Sequence, residues 1–162
     1  MTTTEFDIYI SEMQGRMLRF ATTILHNKAD AEDVVSQVCE RLWRDRAKLE
    51  VKGSASAFAM TSVRNGCYDH HRYRQRHRHE EPSEVLPSEI GREEQSDTVE
   101  LVRISMQRLP ERQREVLHLK DIEGYSTHEI AEIFEIEETN VRMILSRARG
   151  ALRDIIIKTM QQ

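Results

Sequence analysis

Apolar side chains recur every three or four positions along most of the chain, and this spacing is typical of amphipathic helices. The pattern predicts three helices in the N-terminal half and four in the C-terminal half. Their approximate limits are 5–25, 31–47, 57–78, 98–108, 111–122, 127–134 and 138–158. No segment shows a strong alternating pattern of the kind that strands require. The sequence therefore predicts an all-α protein.

The helical pattern is interrupted once over a long stretch, at residues 80–97, "EEPSEVLPSEIGREEQSD". This segment is acidic, contains two of the three prolines and has no sustained periodicity, as is typical of a flexible linker. The chain is thus predicted to form two small helical domains, residues 1–79 and 98–162. Within the first domain, the small-residue segment 52–57 is predicted as a loop, and Asp30 is a candidate N-cap of the second helix.

The segment 125–149 has the pattern of a helix-turn-helix. Ser126 and Glu129 form a capping box that predicts a helix start at Thr127, and the short turn "EIEE" precedes a second helix that begins at Glu138 or Thr139. The polar face of this second helix could contact base edges and phosphates in a major groove. Its residues are Asn140, Arg142, Met143, Ser146, Arg147 and Arg149. The alternative is an ordinary amphipathic helix whose basic face is only solvated.

Composition indicates a soluble, helix-rich protein, with 38% hydrophobic and 32% charged residues. No apolar run reaches the roughly 18 residues that a bilayer span needs. The first residues lack the basic and apolar regions of a signal peptide, so we expect a cytoplasmic protein without direct membrane insertion. The two cysteines, Cys39 and Cys67, lie in helical patterns and are expected to be reduced and buried.

Positive charge is concentrated in residues 70–79, "HHRYRQRHRH", although the whole chain has a formal net charge of -4. At the C-terminal end of a helix these side chains suit the helix dipole and can reach DNA phosphates. Zinc binding is disfavoured because the adjacent His70 and His71 cannot both face one ion and the arginines repel a cation. A further hypothesis is that the run pairs with the acidic linker and is masked by it.

Two regions resemble the extracytoplasmic-function sigma factors of bacterial RNA polymerase. The segment 109–152, which contains the helix-turn-helix, is similar to the promoter-reading C-terminal domain of that family. The segment "DAEDVVSQVCERLW", 30–43, resembles the part that docks on the polymerase clamp. The segment "SVRNGCYDHHR", 62–72, resembles the family helix that ends in Arg-Asn, three residues and Asp. The motifs occur in the same order as in the family, and the resemblance covers both domains but not the linker.

The resemblance implies that the first domain binds core polymerase and the minus-ten promoter element, and that the second domain binds the minus-35 element. The implied polymerase contacts are Asp30, Asp33, Gln37, Glu40, Arg41 and Arg44. The implied minus-ten contacts are Arg64, Asn65, Tyr68 and Arg72. The loop 51–56 would help to hold a base flipped from the stack. Besides core polymerase and promoter DNA, the resemblance implies an anti-sigma factor as partner, often membrane-anchored, and no catalysis, cofactor or metal.

Some positions depart from the family pattern. Glu135 replaces the glycine of the helix-turn-helix turn and must accept a less favourable backbone conformation. Met143 stands in the recognition helix where a small polar residue is common, so the promoter sequence is not predicted. Tyr68 could also serve only as core packing.

Two other classes of function compete with a sigma factor. A stand-alone helix-turn-helix regulator would usually dimerise, and the chain has no heptad pattern. A metal-dependent nuclease is disfavoured because the sequence has no phosphate-binding loop and no nucleophile-base arrangement.

Overall fold

The computed structural model describes residues 1–49, 54–77 and 96–162. The chain divides into two compact units, Met1–Ser88 and Glu89–Gln162. Every regular element in the described ranges is helical, which confirms the prediction of an all-α fold. The predicted linker at 80–97 lies outside the described residues except for its last two, and Ser96 caps a helix that begins at Asp97.

Three helices that pack against one another form the first unit: α1 (Thr3–Leu25), α2 (Lys28–Arg44) and α3 (Ala55–Arg76). Each begins with a side-chain cap, because an oxygen of Thr2, Asn27 or Ser54 accepts a hydrogen bond from a backbone N–H of the first turn. All three helices supply buried apolar side chains. They include Met17, Phe20, Ala21, Val34, Val38, Leu42, Ala59, Met60, Val63 and Cys67.

Two local predictions for this unit are wrong. The N-cap of α2 is Asn27, whose Oδ1 accepts a hydrogen bond from the Asp30 N–H at 3.0 Å, so Asp30 lies in the first turn instead of preceding the helix. The predicted loop 52–57 is already helical from Ala55. Trp43, near the end of α2, is 37% exposed, and its ring meets that of Phe6 in an edge-to-face arrangement with centroids 5.1 Å apart. Helical periodicity identified the buried side of α2 but not where that side ends.

The second unit contains α4 (Asp97–Met106), α5 (Glu111–Leu117), α6 (Thr127–Phe134) and α7 (Glu138–Met160). The long helix α7 packs against the other three. Its buried residues Val141, Leu145 and Ala148 recur at spacings of four and three, so one side faces the core and the other faces solvent. The capping box at the start of α6 is confirmed: Ser126 Oγ accepts from the Glu129 N–H, and the Glu129 carboxylate accepts from the Ser126 N–H.

The single helix predicted at 111–122 is divided. It is α-helical to Leu117 and continues as a π-helical turn, His118–Ile122, closed by the hydrogen bond from the Glu123 N–H to the His118 carbonyl. His118 Nε2 lies 2.9 Å from Glu123 Oε2, and both side chains are buried. Gly124 follows with φ of 76° and turns the chain toward α6.

Two charged residues of this segment lie in the interior of the unit. Arg114 and Glu115 are both buried, and Arg114 Nη1 donates to the Leu109 carbonyl at 3.1 Å. With His118 and Glu123 they make a polar interior next to an apolar one. This interior lies directly before the helix-turn-helix.

Candidate nucleic-acid interface

The turn between α6 and α7 depends on a left-handed residue. Glu135 has φ of 54° and ψ of 46°, which confirms the unfavourable conformation expected where a glycine is absent. The N–H of the next residue, Ile136, donates to the Ala131 carbonyl at 3.0 Å, so the C-terminus of α6 is closed by backbone bonds. The turn sets the start of α7 at Glu138.

All six residues predicted to read DNA lie on the solvent-facing side of α7. The exposed positions are Asn140, Arg142, Met143, Ser146, Arg147 and Arg149. They alternate in the helix with the buried Val141, Leu145 and Ala148, which hold α7 against the rest of the unit. An exposed helix face of this kind can enter a major groove without disturbing the core.

A surface groove of about 570 Å³ borders this face. Its lining combines four cations with hydroxyl residues, one glycine and one leucine: Lys120, Thr127, Arg142, Leu145, Ser146, Arg149, Gly150 and Arg153. Sequence reasoning missed Lys120, Thr127 and Arg153, because they come from three different elements and lie outside the recognition-helix pattern. The four cations of the groove suit a phosphate backbone.

Arg149 is held at the edge of this groove by Asp121 of the π-helical turn. Its Nη2 donates to Asp121 Oδ1 at 2.8 Å, and its Nε donates to Oδ2 at 3.4 Å. The hydrogen bond to Asp121 raises the pKa of Arg149 above its usual value, and the charge of the carboxylate adds to this. The guanidinium is therefore both charged and oriented before any DNA arrives.

The residues predicted to face the minus-ten element lie on α3. Arg64, Tyr68 and Arg72 are spaced by four, so they share one side of the helix. The Arg64 guanidinium carbon lies 4.8 Å from the centroid of the half-buried Tyr68 ring, and the exposed Arg72 forms an ion pair with Asp69 at 2.8 Å. Asn65 is exposed one position further round the helix. A cation and an aromatic ring close together can contact a phosphate and an unpaired base.

The basic run continues to the end of α3. Tyr73 is 57% exposed, and its ring stacks on that of His77 with centroids 4.1 Å apart. The last two residues of the run, 78 and 79, lie outside the described residues. Within residues 1–49, 54–77 and 96–162, no group of three or more histidines, cysteines and carboxylates is arranged to hold a metal ion.

Five of the six predicted polymerase contacts form one exposed face of α2, namely Asp33, Gln37, Glu40, Arg41 and Arg44. Asp30 differs from them. Its carboxylate is only 14% exposed and lies against α3, with Oδ2 3.1 Å from Arg74 Nη1 and 3.6 Å from His70 Nε2. Asp30 therefore does not belong to the exposed face of α2 that the other five residues form.

The cysteines also differ from each other. Cys67 is buried and Cys39 is half-buried, and both are unbridged. Burial raises the pKa of the Cys39 thiol. In the part of the chain that the structure describes, no helix combines the length and the apolar character that crossing a membrane requires.

Comparisons with known proteins agree with this architecture. The family model described as Sigma-70 region 2 matches residues 9–77, and the one described as Sigma-70, region 4 matches residues 101–152. The chain is 27% identical over 156 residues to the RNA polymerase sigma-E factor of Streptomyces coelicolor, covering 94% of this chain and 86% of that protein. It is 24% identical over 151 residues to the ECF RNA polymerase sigma factor SigM of Mycobacterium tuberculosis, covering 93% and 76% respectively.

A solved structure has the same fold. The sigma factor RpoE from Bartonella quintana, crystallised in complex with the anti-sigma factor NepR, superposes with a TM-score of 0.76 at 22% identity. The similarity covers 95% of this chain and 98% of that one.

Proposed function

The chain belongs to the extracytoplasmic-function sigma factors of bacterial RNA polymerase, and on that premise we propose how its two units share promoter-specific initiation. Members of this family bind core polymerase and direct it to promoters. The observation that carries the division of labour is that each sigma region of this chain presents a separate exposed helix face with cationic side chains.

The second unit would bind the minus-35 element with the outer face of α7. Asn140, Met143 and Ser146 would meet base edges, since an amide, a thioether and a hydroxyl suit direct readout in the major groove better than neutralisation of charge. Arg142 and Arg149, with Lys120 and Arg153 of the adjacent groove, would neutralise phosphates. The exposure of the recognition face and the composition of the groove support this assignment.

The first unit would bind both core polymerase and the minus-ten element. On α2, Asp33, Gln37 and Arg41 would contact the clamp, together with Glu40 and Arg44. On α3, the side chains Arg64, Asn65, Tyr68 and Arg72 would contact the opened promoter, with Tyr68 stacking on an unpaired base. Exposure of the α2 face and the pairing of Arg64 with Tyr68 support this proposal.

Regulation would come from an anti-sigma factor, as in the complex of RpoE with NepR. The protein would act by binding and positioning rather than by covalent chemistry. A polymerase subunit works where the chromosome is, and on that ground we place the protein in the cytoplasm.

Run-off transcription tests this function. Purified core polymerase is given genomic promoter fragments with and without the protein, and the starts of the transcripts are mapped. We expect discrete starts only when the protein is present, with two shared elements upstream of them. Tight binding to duplex DNA without polymerase, together with no directed initiation, would favour a stand-alone regulator instead.

A matched pair of variants locates the minus-35 contact. Arg147→Ala removes an exposed cation from the recognition face, and Lys158→Ala removes one from the last turn of the same helix. We expect R147A to reduce the salt dependence of promoter binding by about one released counterion, and K158A to leave it unchanged. Equal changes of salt dependence in the two variants would show that promoter binding depends only on the total charge of the protein.

A further inference from the structure

The contact between α2 and α3 is a seam of side chains at matching helical spacing. Asp30, Val34 and Val38 recur every four residues on α2, and Gly66, His70 and Arg74 do so on α3. A Cβ atom on Gly66 would lie 3.0 Å from Val34 Cγ1, so the helices approach closely there. At the far end of this apolar seam lies Asp30, whose Oδ2 is 3.1 Å from Arg74 Nη1 and 3.6 Å from His70 Nε2.

Asp30 is fixed in place from both sides. Its backbone N–H donates to the side chain of Asn27, which anchors the residue in the first turn of α2. Its carboxylate is mostly covered and directed toward α3. A carboxylate in this position has little surface left for a protein partner on the exposed face that carries Asp33 and Gln37.

Arg74 stands in the middle of the basic run, in the last turn of α3, and its side chain is 52% exposed. The 3.1 Å contact with Asp30 holds one guanidinium nitrogen. An arginine whose rotamer is already held loses less conformational freedom when the guanidinium binds a phosphate. A fork-shaped donor can serve a carboxylate and a phosphate with different nitrogens.

We propose that Asp30 is a positioning residue for promoter binding: it orients Arg74 toward a backbone phosphate beside the minus-ten element. This rests on the proposed function, in which α3 faces promoter DNA. The proposal assigns Asp30 to promoter binding, through Arg74 of α3, and not to polymerase binding with the other five residues of α2. The seam would then align the polymerase-binding face of α2 with the DNA-binding face of α3.

The test uses the full-length chain and four variants: Asp30→Asn, Arg74→Gln, the double variant and Glu32→Gln. Glu32 lies near the start of α2, is exposed, and loses the same charge in its variant, so it is the matched control. Two affinities are measured for each protein at one salt concentration. The first is for core polymerase without DNA, and the second is that of the saturated holoenzyme for a promoter fragment.

We expect D30N to weaken promoter binding by about threefold to tenfold while its affinity for core polymerase stays within about twofold of wild type. R74Q should weaken promoter binding at least as much, and the double variant should be no worse than R74Q. E32Q should match wild type in both measurements. A seam that served only folding would lower both affinities together.

Three results would overturn the proposal. D30N could weaken core binding in the absence of DNA, which would make Asp30 a polymerase contact. D30N could have its full effect in the R74Q background, which would mean that it acts through another group. D30N could strengthen promoter binding, which would make Asp30 a mask instead of a guide.

Arg74→Lys tests the idea with Asp30 unchanged, because lysine keeps the charge but not the fork. We expect it to weaken promoter binding, and wild-type promoter affinity in R74K would contradict the proposal. The failure of wild-type protein to direct any initiation would refute the proposed function itself, independently of how the variants rank.

Discussion

Arg149 of the recognition helix α7 and Asp121 of the π-helical turn are joined by two hydrogen bonds, 2.8 Å from Nη2 to Oδ1 and 3.4 Å from Nε to Oδ2. The two residues are 28 positions apart in the chain, and both are partly exposed at the proposed DNA surface. The pair couples the reading helix to the turn that precedes the helix-turn-helix.

Removing Asp121 should free Arg149 to bind any phosphate within reach. We expect Asp121→Ala to raise affinity for random duplex DNA and to lower the ratio of specific to non-specific binding by about threefold to tenfold, because the held geometry is lost while the charge remains. Competition binding of holoenzyme at fixed salt measures this ratio.

Asp154→Ala is the control, since it removes an exposed carboxylate further along α7. It should raise non-specific affinity only through net charge. A specificity ratio that falls equally in both variants would remove any special role for the Asp121 pair. An arginine guanidinium stays charged at every pH at which the protein is assayed, with or without Asp121, so no loss of the cation contributes.

Gly66 is expected to resist substitution although it lies inside a helix. An added Cβ would approach Val34 Cγ1 to 3.0 Å and Val38 Cγ2 to 3.4 Å, and β-branched side chains have few other rotamers. Gly66→Ala should therefore destabilise the first unit by about 1–2 kcal/mol, because overpacking exceeds the gain in helix propensity. Urea unfolding followed by the fluorescence of Trp43, the single tryptophan, reports this unit.

Gly15→Ala is the companion variant in the same unit. There the added Cβ would meet only the end of the Arg19 side chain, which can move. We expect stabilisation of about 0.5–1 kcal/mol. If Gly66→Ala were also stabilising, the close approach of α2 and α3 would not be rigid.

Glu135 carries a conformational cost that glycine would remove. With φ of 54°, the residue is in the left-handed region, which is unfavourable by roughly 1–2 kcal/mol for a side chain with Cβ. We expect Glu135→Gly to stabilise the second unit by about 0.5–1 kcal/mol, after the extra freedom of glycine in the unfolded chain is deducted. Urea unfolding followed by circular dichroism measures this change in the free energy of unfolding.

Glu135→Ala separates conformation from charge. Alanine removes the same carboxylate but keeps the Cβ, so Glu135→Ala should give little of the stabilisation expected for Glu135→Gly. Equal stabilisation by alanine and glycine would show that the carboxylate, and not the backbone, carries the cost.

The His118–Glu123 pair should be a main determinant of stability in the second unit. Both side chains are buried, and their nitrogen and oxygen lie 2.9 Å apart. His118→Ala leaves Glu123 buried without this hydrogen-bond partner, and a buried polar group that loses its partner costs about 1–3 kcal/mol. The experiment is urea unfolding by circular dichroism.

His128→Ala provides the contrast, because His128 contacts Glu132 at 3.0 Å but is largely exposed. Exposed pairs contribute little to stability, so we expect a small change. If the two alanine variants proved similarly stable, the polar interior would not hold the π-helical turn in place.

The helix-turn-helix shows how far local rules reach. The capping box at Ser126, the turn at Glu135 and the exposed face of α7 were all predicted, because each depends on residues within a few positions of one another. The start of α2 was misplaced by a similar local rule. Asn27 and Asp30 are both good N-caps, and only the backbone geometry distinguishes them.

Periodicity and short-range hydrogen bonds along the chain were enough to predict the all-α fold, the approximate helix limits and the polar faces of α2 and α7. Tertiary structure alone decided that Asp30 faces α3, that Arg149 is held by Asp121, and that Lys120, Thr127 and Arg153 share one groove. Periodicity shows which side of a helix is polar, but the partner of a polar side chain depends on how distant segments pack. That packing is chosen by the fit of the whole core and leaves no local pattern in the chain.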